Sequence, residues 1–259
     1  MEEYLKRIAE SLERAFPLDP DSDFFEKADA FIWEPAQNQF SEVNDISTVD
    51  ISLLKGMDEE IDQVRLNTEA FIEGKLANNV LVWGARGMGK STLVKSVVKA
   101  ANSKSKSLKI IEVARDDIGQ IGQLLKIIKK INKKFIIFFD DISFDDNETS
   151  YKSLKSVLDG GLIGGMQNAL VYATSNRRHL LSRKTGGADD FIRWEEELDE
   201  RLSISDRFGI SIGFYECDQN LYLEIVRSYA KAFGIRMPMK ELNKKALEWQ
   251  IQRGSRSGR

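Results

Sequence analysis

The stretch Asn79 to Ala100, NVLVWGARGMGKSTLVKSVVKA, decides how this chain folds. Asn79–Trp83 is an apolar run of strand character, and Lys90–Ala101 repeats apolar residues at helical spacing. The eight residues between them, Gly84 to Ser91, fit the pattern G-x-x-x-x-G-K-[ST] in the strand-to-helix setting that gives this pattern its meaning. Gly84, Gly87 and Gly89 let the backbone curl until successive N–H groups face an anion, which also meets the positive end of the following helix. Lys90 adds a point charge at the β and γ phosphates, and the Ser91 hydroxyl suits coordination of Mg²⁺. Ala85 and Thr92 complete the cradle, while Arg86 and Met88 occupy free positions whose side chains can face outward. The reading is a phosphate-binding loop, and the expected ligand is ATP with Mg²⁺.

Strand-like and helix-like segments alternate outward from this loop. Leu108–Val113 precedes a helix over Ile118–Ile131, Phe135–Phe139 precedes one over Tyr151–Leu158, and Leu170–Thr174 and Ile210–Phe214 add two more strands. Such alternation predicts an α/β fold, a parallel sheet sandwiched by helices with its ligand at the strands' carboxyl ends. Beyond Cys217 the pattern is only helical, over Asp218–Phe233 and Met239–Arg253, which predicts a small helical lid. Upstream, Met57–Gly74 is an amphipathic helix, and the first 16 residues hold a short one ended by Pro17 and Pro20. Asp19–Asp50 is acidic and aromatic, with Phe24, Phe25, Phe31, Trp33 and Phe40 in no sustained period, and is expected to be an extended arm whose aromatics pack on the core.

With 259 residues and 42% apolar composition, the chain can bury a sizeable core. One cysteine, Cys217, allows no internal disulfide, and one histidine, His179, leaves no partner for an ordinary zinc site. No signal-peptide core or membrane-length apolar run is present in the sequence, so a cytoplasmic location is expected. The net charge of −3 is unevenly spread. Residues 17–62 hold 13 acids against 2 bases and residues 1–16 carry −1, leaving +9 on residues 63–259. That excess suits polyanions: nucleotide phosphates alone account for it, nucleic acid is an alternative, and a merely solvated basic surface is the blander reading.

The run Phe135–Asp141, FIIFFDD, is an apolar strand ending in two acids at the edge where phosphates belong. Asp140 is expected in the Mg²⁺ shell, and Asp141 to orient or deprotonate the attacking water. Leu170–Asn176, LVYATSN, ends at the same edge and would place the Asn176 amide between the γ-phosphate and that water. Asn as a strand-ending turn residue competes with this reading. Arg177, Arg178 and His179 read as surface or helix-start residues.

With these motifs in this order, the chain resembles the AAA+ ATPases. Glu200–Gly209, ERLSISDRFG, is similar to the segment that carries their arginine finger, which implies that Arg207, with Arg201 second, reaches a neighbour's γ-phosphate in a homo-oligomer. Arg253–Arg259, RGSRSGR, resembles the sensor 2 element, with Arg259 first and Arg256 second as the nucleotide contact. From Leu54 to Arg259 the chain looks like one bacterial AAA+ family catalogued as a domain of unknown function, on NTEAFIEGKLANNVLVWGARGMGKS, FFDDISF, SYKSLKSVLDGG, YATSNRRHL and LSISDRFG. That likeness implies that Leu54 and Gly56 lie beside the adenine. The Asp-Asp pair and the DRFG segment are also similar to the initiator and helicase-loader branch. The implied division is an arm over residues 1–53, a nucleotide-binding core over 54–216 and a helical lid over 217–259, shorter than a complete AAA+ lid. Where AAA+ proteins usually carry a catalytic glutamate, this chain has Asp141, one methylene shorter. Two functions follow from the resemblance: an ATPase that performs conformational work on an unknown protein or nucleic-acid partner, or a nucleotide-dependent switch or loader with little turnover. No membrane partner is expected.

Overall fold

A computed structural model of the protein describes residues 3–8, 19–142, 148–158, 166–176, 205–215 and 217–253. Its strands are β1 (Ala30–Glu34), β2 (Gln39–Val43), β3 (Val80–Gly84), β4 (Leu108–Glu112), β5 (Lys134–Phe139), β6 (Ala169–Ser175) and β7 (Ile210–Phe214). They form one sheet in the order β2-β1-β4-β5-β6-β3-β7. Every pair is parallel except β1–β2. The phosphate-loop strand β3 therefore lies inside the sheet, between β6 and β7. Such an inner strand is screened on both faces, which is why it reads as an unbroken apolar run.

The helices are α1 (Asp58–Ile72), α2 (Lys90–Lys104), α3 (Ile121–Ile128), α4 (Glu148–Leu158), α5 (Gln219–Ala232) and α6 (Met239–Arg253). One sheet face packs on Val64 and Phe71 of α1 and on Leu93, Val94, Val97 and Val98 of α2. The other packs on Leu124, Leu125 and Ile128 of α3 and Leu154 of α4. A buried polar network locks α1 to β6. Asn67 Nδ2 donates to the Tyr172 hydroxyl at 3.0 Å, Thr68 Oγ1 lies 2.8 Å from it, and Asn67 Oδ1 accepts the Asn78 N–H at 2.8 Å. Burial pushes the Tyr172 phenol up to about 12, so it stays a neutral hydrogen-bonding group.

Three expectations change. The helix expected over Ile118–Ile131 is a 3₁₀ turn over Arg115–Gln120 followed by the shorter α3. Gly119 and Gly122 weaken the helix at the join, where a tighter turn costs little. The acidic stretch before residue 50 is also more than an extended arm, since residues 30–43 form a hairpin, β1–β2, that pairs in parallel with β4 and widens the sheet. Its strands escape detection by period because the outward face of β1 carries an apolar residue: Phe31 and Trp33 are buried, but the exposed position between them is Ile32, so no polar residue marks the alternation there. The aromatics do pack inward, with Phe25 ringed by Phe31, Phe40 and Phe135 at centroid distances of 5.0–5.2 Å. Third, the Met88 side chain does not face outward, as described with the site.

From β2 the chain crosses α2 toward the phosphate loop. Thr48 Oγ1 lies 2.6 Å from Ser96 Oγ, Ser96 Oγ donates to Val49 O at 2.8 Å, and Lys99 pairs with Asp45 at 2.8 Å. Asp50 then accepts the Ser52 N–H and starts a 3₁₀ turn over Ile51–Leu53, delivering Leu54 to the cleft.

Candidate functional site

Gly84 ends β3 with φ of 134°, and a Cβ there would stand 1.9 Å from Phe214 O. Only glycine lets β3 and β7 approach this closely, and Ala85 N–H then donates to that same carbonyl at 3.3 Å. Gly87 and Gly89 have φ of 76° and 89°, which turns the loop into the first turn of α2. Lys90 opens that helix and is only 7% exposed. Its ammonium donates to Gly84 O and Ala85 O at 2.8 Å each and to Asn176 Oδ1 at 2.9 Å. One cation thus ties the loop's first carbonyls to the end of β6.

The acidic pair after β5 is built into the same cluster. Ser91 Oγ donates to Asp140 Oδ1 at 2.5 Å, and Thr174 Oγ1 donates to the same oxygen at 2.6 Å. The Thr174 hydroxyl also accepts the Asp141 N–H at 2.8 Å. Asp141 has φ of 54°, a left-handed conformation that Asp tolerates better than most residues. This turns its carboxylate away from the strand direction and onto the Asn176 amide, whose Nδ2 donates to Asp141 Oδ1. Asn176 thereby bridges Lys90 and Asp141, accepting from one and donating to the other. The donor set of hydroxyl and carboxylate oxygens at Ser91 and Asp140 is hard and suits Mg²⁺, which prefers oxygen ligands.

Thr174 is the residue that the motif reading passed over. It is 1% exposed and joins the two acids, and the two-residue strand period that puts it on the face of Asn176 was the available signal. Thr174→Val keeps the shape but orphans the Asp141 N–H and removes a donor from Asp140. The expected cost is about 1–3 kcal/mol of stability, read as a lower denaturation midpoint with an unchanged m-value.

These groups line a cleft of ≈ 800 Å³ between the sheet's carboxyl edge and helix α5. Leu54, Gly56, Arg86, Gly87, Met88, Gly89, Lys90, Ser91, Thr92, Asp140, Asp141 and Asn176 all border it. Arg86 is exposed, as expected, but Met88 packs against both the core and the lid cluster of Cys217, Tyr222, Leu223 and Ala246. The loop is therefore clamped by its own apolar side chain. On the lid side, Leu221, Ile225 and Tyr229 of α5 present an apolar wall that the sequence reading did not single out. Gly56 lies against Leu221, and Tyr222 donates from its hydroxyl to Ala246 O at 3.0 Å, joining α5 to α6.

Arg207 is not among the residues bordering this cleft. The register Val80↔Ile210 and Gly84↔Phe214 puts it at the amino end of β7, the sheet edge opposite the phosphate loop. The adjacent Phe208, 4% exposed, anchors that segment in the core. Arg201, Arg256 and Arg259 lie outside the described residues, as do Arg177, Arg178 and His179. Among the described residues, no helix is long and apolar enough to cross a membrane, and no cluster of histidine, cysteine and carboxylate side chains could hold a metal by itself.

A family model described as "Protein of unknown function (DUF815)" matches residues 26–259. No curated protein sequence matches the chain. Among solved structures, a point variant of Thermotoga maritima RuvB superposes with a TM-score of 0.54 at 19% identity, covering 78% of this chain and 58% of that one. The Aeropyrum pernix Orc1 protein in complex with DNA gives 0.51 at 15% identity, over 71% of this chain and 53% of the other. The chain thus spans under three-fifths of each, and the likeness is one of fold: the P-loop sheet of AAA+ proteins.

Proposed function

The chain belongs to the DUF815 family, and on that premise we propose that it is an AAA+ ATPase that binds Mg-ATP in the cleft between sheet and lid and converts nucleotide state into work on a macromolecular partner. The observation that carries this reading is the convergence of Lys90, Ser91, Asp140, Asp141 and Asn176, from three separate elements, on the carboxyl edge of β3, β5 and β6. The loop's N–H groups and Lys90 would hold the phosphates, Ser91 and Asp140 would hold Mg²⁺, and Leu54 and Gly56 would flank the base. Bound Mg²⁺ would neutralise charge on the transferring phosphoryl group. Asp141 is the group able to take the water's proton, with Asn176 holding its carboxylate in place.

Arg207 supports an oligomeric reading, because it belongs to the edge opposite its own chain's loop and would serve a neighbour's γ-phosphate instead. The division into an arm over 1–53, a core over 54–216 and a lid over 217–259 belongs to the same proposal, with Arg259 or Arg256 as the lid's nucleotide contact. A second reading, a nucleotide-dependent switch with little intrinsic turnover, draws on Asp141 itself. Its carboxylate is shorter than the usual glutamate and already accepts the Asn176 amide.

Steady-state phosphate release from Mg-ATP separates the two: sustained turnover supports the ATPase, and a single slow turnover supports the switch. Arg207→Ala and Lys90→Ala proteins are each expected to be inactive alone and to recover part of the activity when mixed, since each can supply what the other lacks. Mixtures no more active than their components would remove the trans role of Arg207.

A further inference from the structure

On the sheet edge opposite the glycine-rich loop, lysines gather from a run of sequence that holds no acid of its own. The segment Ile118–Phe139 carries Lys126, Lys129, Lys130, Lys133 and Lys134 and no Asp or Glu. Lys126, Lys129 and Lys130 fall at i, i+3 and i+4 at the end of α3, so they share one side, and all three are exposed. Leu108 pairs with Lys134, which brings Lys106, just before β4, to the same edge. The chain lays its own carboxylates over this edge. Asp19 pairs with Lys130 at 2.9 Å, Glu26 pairs with Lys133, and Asp29 pairs with Lys109 at 3.1 Å. The Glu26 carboxyl is held below its ordinary value, first by its hydrogen bond with Lys133 and also by the charges of Lys109 and Lys106. Lys106, Lys126 and Lys129 have no ion pair among the described residues.

We propose that this amino edge of β4 and β5, with the end of α3, is a binding surface for the phosphates of duplex nucleic acid, over which Asp19 and Glu26 stand in for two of those phosphates. The surface is distinct from the nucleotide cleft and does not depend on ATP binding there. A line of exposed lysines gives phosphate contacts without base readout, and the segment has no aromatic ring before Phe135 on which an unpaired base could stack. Phosphates of a duplex therefore suit it better than a single strand. The Asp19–Lys130 contact is easily exchanged, because both partners are exposed and such ion pairs contribute little and are screened by salt, whereas Lys133 of the Glu26 pair is largely covered. The arm itself need not unfold, since Phe25 remains in its aromatic cluster and Lys109, whose side chain is 2% exposed, remains with Asp29.

The test is fluorescence anisotropy of a labelled 20-base-pair duplex titrated with the full chain at low salt. Asp19→Asn with Glu26→Gln is expected to tighten binding by about threefold or more. Lys126→Gln with Lys129→Gln and Lys130→Gln is expected to weaken it at least tenfold and to reduce the slope of log affinity against log salt by about 2–3. The corresponding Lys→Arg triple should bind like the wild type, and ATP affinity should be the same in all of these proteins, which separates lost contacts from lost folding. The proposal is overturned if neither the wild type nor the Asp19/Glu26 variant binds the duplex, if the Gln triple binds as tightly as the wild type, or if polyglutamate competes as well as the duplex at equal charge.

Discussion

Lys90→Ala is expected to lower ATP affinity by at least about a hundredfold. Lys90 is buried and donates to three acceptors at 2.8–2.9 Å, two of them carbonyls of the loop itself. Charge-assisted hydrogen bonds contribute about 1.5–3 kcal/mol each, so if Lys90 also serves the phosphates, as proposed, its removal takes away several kcal/mol of binding. Calorimetric titration with Mg-ATP checks this, and near-ultraviolet circular dichroism with a melting curve shows whether the fold persists. Unchanged ATP affinity in a folded Lys90→Ala protein would falsify the phosphate-loop assignment.

Asp141→Asn is expected to leave ATP affinity within about twofold of the wild type while lowering turnover by about 10²–10⁴. The substitution suits the backbone, because Asn adopts the left-handed conformation at φ of 54° as readily as Asp. The N–H at position 141 still donates to Thr174, and an amide oxygen can still accept from Asn176, so the local structure survives and only the proton acceptor is lost. Phosphate release under saturating ATP and equilibrium binding, measured on the same preparation, make the comparison. Undiminished turnover would place the base elsewhere and leave Asp141 as a positioning group for Asn176. Such a variant that binds without turning over also serves as a trap for the macromolecular partner.

Much of the site was legible along the chain because its groups follow strands at fixed offsets. A loop that must curl around phosphate needs glycines where φ is positive, and Gly84, Gly87 and Gly89 stand there. An acid at the end of an unbroken apolar run such as FIIFF has only the sheet edge to occupy, which places Asp140 and Asp141 without further information. The hairpin β1–β2 was not legible, because the exposed position of β1 between Phe31 and Trp33 is the apolar Ile32, which hides the two-residue alternation, and the acids around the hairpin resemble a solvated arm. The shortened α3 was missed for a related reason: apolar residues at helical spacing continue across Gly119 and Gly122, and only hydrogen bonding distinguishes a 3₁₀ turn from an α-helix there.

By itself the sequence determined the strand-loop-helix at Gly84–Ser91, the order of the parallel strands and which polar groups gather at their carboxyl edge, because local backbone demands and side-chain chemistry are written residue by residue. Only the tertiary structure decided how those groups are joined: the Thr174 hydroxyl between the two acids, the Asn176 amide between Lys90 and Asp141, Met88 clamped under the lid, Arg207 on the opposite edge, and Asp19 and Glu26 laid over lysines more than a hundred residues away. These are contacts between distant segments, and no local pattern specifies them, since they exist only once the sheet has brought the segments together.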